Sequence, residues 1–234
     1  LRQDIPQEWA LRISQKYRKA VLLEDQYKNV VEAVLWHCEE QGIHIMALGG
    51  YVYRKTYAMP EMRLLTETEF WVDRRRRQDI DRMMHRMDFV AQPGEYSYER
   101  SGMRLVFLEK LPFEEKKMAR YFGASLRRMP RETGRNYVHI LKEPILFVFS
   151  MCRKAQRFAW EEFGIRDMLD IWLYYRSEER GASWFHIMKR LKKLKVWDFA
   201  NRMLTLTDNW FGSGQIETET DIYDDLKAFI FSKG

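Results

Sequence analysis

The stretch ALGGYVYRKTYAMPEMRLLTETEFWVD, from Ala47 to Asp73, constrains the fold more than any other part of the chain. An apolar run ends in Gly49-Gly50. A helix-like segment follows, Pro60 breaks it, and a second apolar run carries Glu67 and Glu69. Acids at i and i+2 of a strand share a face, because strand side chains alternate with a period of two. The pattern asks for a sheet in which one strand ends in a turn free of Cβ atoms and another presents two carboxylates together. Carboxylates paired beside a glycine turn suit Mg²⁺ held against the phosphates of a nucleotide.

The flanking pattern supplies the rest of that sheet. Tyr27, Val30, Val31, Val34, Leu35 and Cys38 recur at helical spacing within 24–41. Gly42 ends this helix, and 43–48 reads as a short buried strand. Residues 51–57 read as helical up to Pro60, and 64–72 is the strand with the two acids. Ile80, Met83, Met84 and Met87 mark an amphipathic helix over 77–87. Two strands follow at 96–100 and 103–108, joined at Ser101-Gly102. Beyond Pro112 the periodicity becomes helical throughout, over 144–160, 165–176, 183–193, 196–210 and 221–231. The expected fold is α/β of the α+β kind: a small mixed sheet with flanking helices, then an all-α C-terminal region. The expected division is 1–112 and 113–234, with the site in the cleft between the two.

Composition narrows the partners. Lys and Arg exceed Asp and Glu by 40 − 34 = 6, which favours anionic partners, although no compact nucleic-acid recognition motif accompanies the charge. Arg74–Arg77 reads as a solvated helix start, and the lysines of 189–195 read as the solvated face of a basic amphipathic helix. Cys38 and Cys152 sit in apolar helical patterns and read as small buried hydrophobes in a reducing compartment. The five histidines lack metal-ligand spacing. No apolar run approaches the roughly 18 residues of a membrane span, and no signal-peptide pattern opens the chain, so the expectation is a cytoplasmic protein with no membrane partner.

The order of these motifs resembles the uncharacterised bacterial nucleotidyltransferase family, a branch of the polymerase-β-like nucleotidyltransferase superfamily. That family runs from a helix into Gly-Ile, an apolar strand and Lys-Gly. A short helix ending in Tyr-Pro, an Arg, Asp-x-Asp on a strand, and a helix closing in Gly-Phe come next. Here Gly42-Ile43 opens the series and Gly49-Gly50 takes the Lys-Gly position. Tyr57, Pro60 and Arg63 follow, Glu67-Thr68-Glu69 stands for Asp-x-Asp, and Asp88-Phe89 for Gly-Phe. A second block, with Glu143-Pro144-Ile145-Leu146, Gly164-Ile165-Arg166 and Leu169-Asp170-Ile171, resembles the family's helical half. Asp170 is expected to brace that half by pairing with Arg166, one turn earlier.

The resemblance implies transfer of a nucleoside monophosphate from an NTP to an unknown acceptor hydroxyl, on a sugar, an antibiotic, an RNA end or a protein. It implies two Mg²⁺ (or Mn²⁺) ions with Glu67 and Glu69 as metal ligands, phosphates against the amides of Gly49 and Gly50, and phosphate contacts from Arg54 and Arg63. Glu109 is the nearest candidate for the third carboxylate that a later strand normally supplies. The departures are specific. Both acids are Glu, the lysine is Gly49, and residues such as Cys152, Arg153 and Arg157 replace the histidines of the first C-terminal helix. They motivate the alternative of a catalytically inactive nucleotidyltransferase fold that binds a protein or a nucleic acid.

Overall fold

The computed structural model of the chain describes residues 6–123, 125–176 and 184–212. It divides into two compact units, one formed by 1–109 with 131–139 and the other by 110–130 with 140–234. The helix expected over 221–231 lies outside the described residues, as does Ser183 at the start of another.

In the first unit the mixed sheet takes the order β3-β4-β5-β2-β1-β6. Its strands are β1 (Ile45–Leu48), β2 (Glu67–Val72), β3 (Val90–Ala91), β4 (Ser97–Arg100), β5 (Met103–Leu108) and β6 (Val138–His139). β1 and β2 run antiparallel, whereas β2 with β5 and β1 with β6 are parallel. One face packs on helices α1 (Gln7–Glu40) and α3 (Arg77–Arg86). The buried stripe of α1 is Tyr27, Val30, Val31, Val34, Leu35 and Cys38, the set that the spacing predicts. It joins Ile80, Met83 and Met84 of α3 and the strand residues Ile45, Phe70, Val72, Leu105 and Phe107 in one core. The Phe70 and Phe107 rings stack there at 5.3 Å.

Helix α1 begins at Gln7, 17 residues before the start that periodicity predicts. Its first turns bury no apolar stripe; Trp9, Leu11, Ile13 and Leu22 are all exposed. That part of the helix rests on good helix formers and not on a buried face, so periodicity had no stripe to detect.

Both helices that cover the sheet stop with a left-handed residue. After α1 it is Gly42 (φ 64°), with the Ile43 N–H donating to Cys38 O at 2.8 Å. After α3 it is Asp88 (φ 59°), with the Phe89 N–H donating to Met84 O at 3.0 Å. These are Schellman-type stops, where glycine carries the least steric cost. Replacing Asp88 by Gly is therefore expected to raise stability by about 1 kcal/mol, read from urea denaturation.

The second unit contains α4 (Lys116–Phe122), α5 (Ile145–Ala159), α6 (Ile165–Arg176), α7 (Trp184–Lys193) and α8 (Trp197–Phe211). Phe147 of α5 stacks on Tyr174 of α6 at 4.4 Å, and Phe158, Phe163 and Phe199 form a second ring cluster. Burial pushes the Cys38 and Cys152 thiols up to about 12, so both stay protonated and inert at neutral pH. No helix among the described residues is long and apolar enough to cross a membrane.

A buried ionic cluster ties α5 to α6. Lys154 Nζ lies 2.9 Å from Asp167 and 3.1 Å from Asp170, and Arg157 reaches Asp167 at 2.9 Å. Burial alone pushes the Asp167 carboxyl up. The Lys154 and Arg157 charges, with hydrogen bonds from Lys154 and the Gly164 amide, outweigh it and hold the group below its ordinary range. A lowered folded-state pKa contributes stability above the ordinary carboxyl range, and that stability is lost as pH falls through the folded value. Lys154→Met leaves two buried acids short of a cation and should cost about 3–5 kcal/mol at neutral pH. Urea melts taken from neutral pH down through the carboxyl range should show that deficit shrinking as Asp167 protonates.

Candidate functional site

Alternation along β2 sends Phe70 and Val72 into the helix-covered core and Glu67, Glu69 and Trp71 to the opposite face. The carboxylate pair thus stands on the side of the sheet that α1 and α3 leave uncovered. Register then sets what surrounds each acid. Glu69 pairs with Leu48, the last residue of β1, so its neighbour across the ladder leads directly into Gly49.

Gly49 has φ 66° and ψ −142°, a backbone region that is essentially reserved for glycine. A Cβ added there would sit 3.5 Å from Glu69 Oε2, so the carboxylate lies against the bare turn. At Gly50 a Cβ would come within 3.0 Å of the Arg63 guanidinium. Arg63 is buried at 9% exposure and donates to the Leu64 carbonyl at 3.2 Å. Glu67, Glu69, the Gly49-Gly50 turn and Arg63 are therefore brought to one end of the β1–β2 pair. Any side chain at Gly49 would strain this backbone. Gly49→Ala should cost about 1–3 kcal/mol in thermal or urea unfolding, with no core contact removed.

The segment after the turn is fixed to α1. α2 (Gly50–Tyr53) carries Tyr51, whose hydroxyl donates to Glu32 at 2.8 Å, and Arg135 grips the other oxygen of Glu32 at 2.8 Å. Burial pushes the Glu32 carboxyl up, but those hydrogen bonds and the Arg135 and Arg54 charges hold it lower than usual. Arg54 donates its backbone N–H to Gly50 O and turns its side chain to α1 and Tyr51. It is 7% exposed, pairs with Glu24 of α1 and stacks on the Tyr51 ring at 4.3 Å. Its position makes it a brace for α2.

Glu67 pairs across the parallel ladder with Arg104 of β5, and Arg104 Nε lies 3.5 Å from Glu67 Oε2. The same guanidinium meets Glu95. Tyr27 of α1 closes the open end of this pair. Its hydroxyl donates to Thr66 O at 2.6 Å and accepts from the Arg104 N–H at 3.0 Å. Burial pushes the phenol up to about 12; the Arg104 N–H opposes the shift, and nearby Glu67 and Glu99 add to it. The hydroxyl accordingly keeps the proton it donates.

The structure does not bring Glu109 to the pair. Trp71 is in register with Leu108, so Glu109 lies just past the end of β5, three residues beyond the partner of Glu69 and five beyond that of Glu67, about 10 and 16 Å along a strand. There it faces Arg74 at 3.6 Å and Arg77 at 3.8 Å. Within the arginine run itself, Arg75 pairs with Asp73 and Arg76 with Asp79, which organises the entry to α3. Opposite Glu67 and Glu69, β5 offers Arg104 and Val106. Among the described residues no cluster of three or more His, Cys, Asp or Glu side chains could hold a metal.

Sequence reasoning placed Tyr27 only in the apolar stripe of α1 and found neither its bridge to β2 and β5, nor Arg104, nor the Glu32–Tyr51–Arg135 network, since each depends on contacts between distant segments. In sequence, the model of the uncharacterised nucleotidyltransferase family matches residues 1–212. No curated protein and no solved structure matches the chain.

Proposed function

We propose that the chain, which belongs to the uncharacterised nucleotidyltransferase family, transfers a nucleoside monophosphate from an NTP to an acceptor hydroxyl at the Glu67–Glu69 face of β2. The observation that carries this reading is the Glu69 carboxylate lying against a Gly49 turn that has no side chain to obstruct a phosphate. In the reaction the acceptor oxygen bonds to the α-phosphorus, the bond to the β-phosphate oxygen breaks, and pyrophosphate leaves. The hydroxyl proton passes to solvent or to a carboxylate of the site.

Each residue then has a role that follows from its position. Glu67 and Glu69 would hold one Mg²⁺ or Mn²⁺, which, when bound, neutralises and orients the triphosphate. The Gly49 and Gly50 amides offer donors to phosphate oxygens at close approach. Arg63, packed against Gly50, supplies a fixed positive charge beside them. Arg104 holds Glu67 and lowers the negative charge of the face. Tyr27 fixes the separation of β2 and β5 where that pair sits.

Glutamate reaches about 1 Å further than aspartate, and misplacement on that scale costs on the order of a hundredfold in rate. The pairing of Glu67 with Arg104 favours a second reading, a retired catalytic face on a fold that serves as a binding module. Calorimetric titration of each NTP with Mg²⁺ and then Mn²⁺ separates the two. Under the enzyme reading the wild type binds at least one NTP only with metal, and Glu67→Gln/Glu69→Gln loses that binding by at least about tenfold, or ~1.4 kcal/mol. Absence of binding to the wild type, or equal binding by the double variant, rejects the assigned site.

A further inference from the structure

Two helices of the second unit together present a basic surface, with Glu114 and Glu115 exposed just before the first of them. Neither Lys116–Phe122 (α4) nor Trp184–Lys193 (α7) contains an acidic residue. Lys116, Lys117 and Arg120 of α4 are exposed, as are Lys189, Lys192 and Lys193 of α7. The two helices are far apart in sequence, and Tyr121 joins them. Its hydroxyl accepts from Arg190 Nε at 3.0 Å, and Lys193 Nζ sits 5.8 Å from its ring centre. Sequence periodicity shows only the basic stripe of α7. The second set of cations becomes visible when α4 is placed beside it.

The surface also holds an aromatic ring in the open. Phe185 is 66% exposed. With Lys189, Lys192 and Lys193 it occupies positions i, i+4, i+7 and i+8, one face of the helix. The apolar side of α7, Ile187 and Leu191, is already buried within the unit. A lipid surface needs that side to insert, and only Phe185 remains for it. Unstacked bases need something else: cations spaced along a phosphate chain and a ring on which a base can stack. In a duplex the ring could stack only after a base step is unstacked, at a free-energy cost for each step opened.

From this we infer that the α4–α7 surface binds single-stranded nucleic acid through its backbone phosphates, with Phe185 as a stacking platform. The inference uses none of the residues of the Glu67–Glu69 face, so either reading can fail alone.

The test is fluorescence anisotropy of a 5′-labelled single-stranded oligouridylate of about 12 nucleotides, a length in the range of such sites, with the full chain at increasing KCl. If the six exposed cations each meet a phosphate, log affinity should fall against log salt with a slope of about −4. Lys189→Glu/Lys193→Glu should weaken binding at least about tenfold and make the slope shallower by ~1.4, for two lost contacts. Phe185→Ala should weaken binding several-fold and leave the slope unchanged. Arg18→Glu/Lys19→Glu, the same charge change on the exposed start of α1, should have a much smaller effect. Circular-dichroism melts confirm that each variant folds. The inference is overturned if the wild type does not bind the oligonucleotide, or if both charge-reversal pairs weaken binding equally. It is also overturned if phosphatidylserine vesicles bind this surface and the oligonucleotide does not.

Discussion

The register between β1 and β2 is the constraint on which the candidate site rests. Because Leu48 faces Glu69, the chain leaves β1 at the level of the carboxylates, and the turn that follows meets them. A slip of one residue would invert every side chain of β2, sending Glu67 and Glu69 into the core and Phe70 and Val72 out of it. The hydrophobic pattern of a single strand therefore orients the acids and holds the register at once. Phe70 stacking on Phe107 on the helix-covered side is the physical counterweight that keeps Glu69 on the other.

Around that register the structure spends most of its polar interactions on position and few on charge for its own sake. Tyr27 spans the mouth of the β2–β5 pair, Glu32 holds Tyr51, and Arg54 answers Glu24. All three contacts originate on α1, so one helix supports both the carboxylate strand and the segment after the glycine turn. Arg104 differs, because it lies on the open face and is shared between Glu67 and Glu95. A triphosphate approaching the face meets acids that are already partly compensated.

What could be read from sequence follows from the range of the information. Alternation within β2 and the stripe of α1 over 24–41 are local, and both match the structure. The nearness of the glycine turn to the carboxylates was also legible, although the antiparallel pairing of β1 with β2 that produces it was not read. The alignment of β2 with β5 was not, since no local pattern sets the offset between strands joined through α3, β3 and β4. That is why Glu109 looked near the pair in sequence and stands about 10 Å along the strand direction from the level of Glu69 and about 16 Å from that of Glu67. Arg54 escaped for a similar reason: its partner Glu24 is on α1, and an arginine near a glycine turn carries no mark of which way it points. Strand β6, with two residues, and α4, with seven, are too short for periodicity to reveal.

The return of residues 131–139 to the first unit makes the two units interdependent in a topological sense. The chain passes between them after Glu109, before Arg131 and again after His139. The partner of β1 on its outer side is β6, so a fragment that stopped near residue 112 would carry all the acids and the glycine turn and still be incomplete. Its β1 would become an unpaired edge, with amides and carbonyls open to another chain. The first unit, although most of its sequence is continuous, is therefore not a module that can be cut out with a single break; it borrows its last strand from beyond the start of the second.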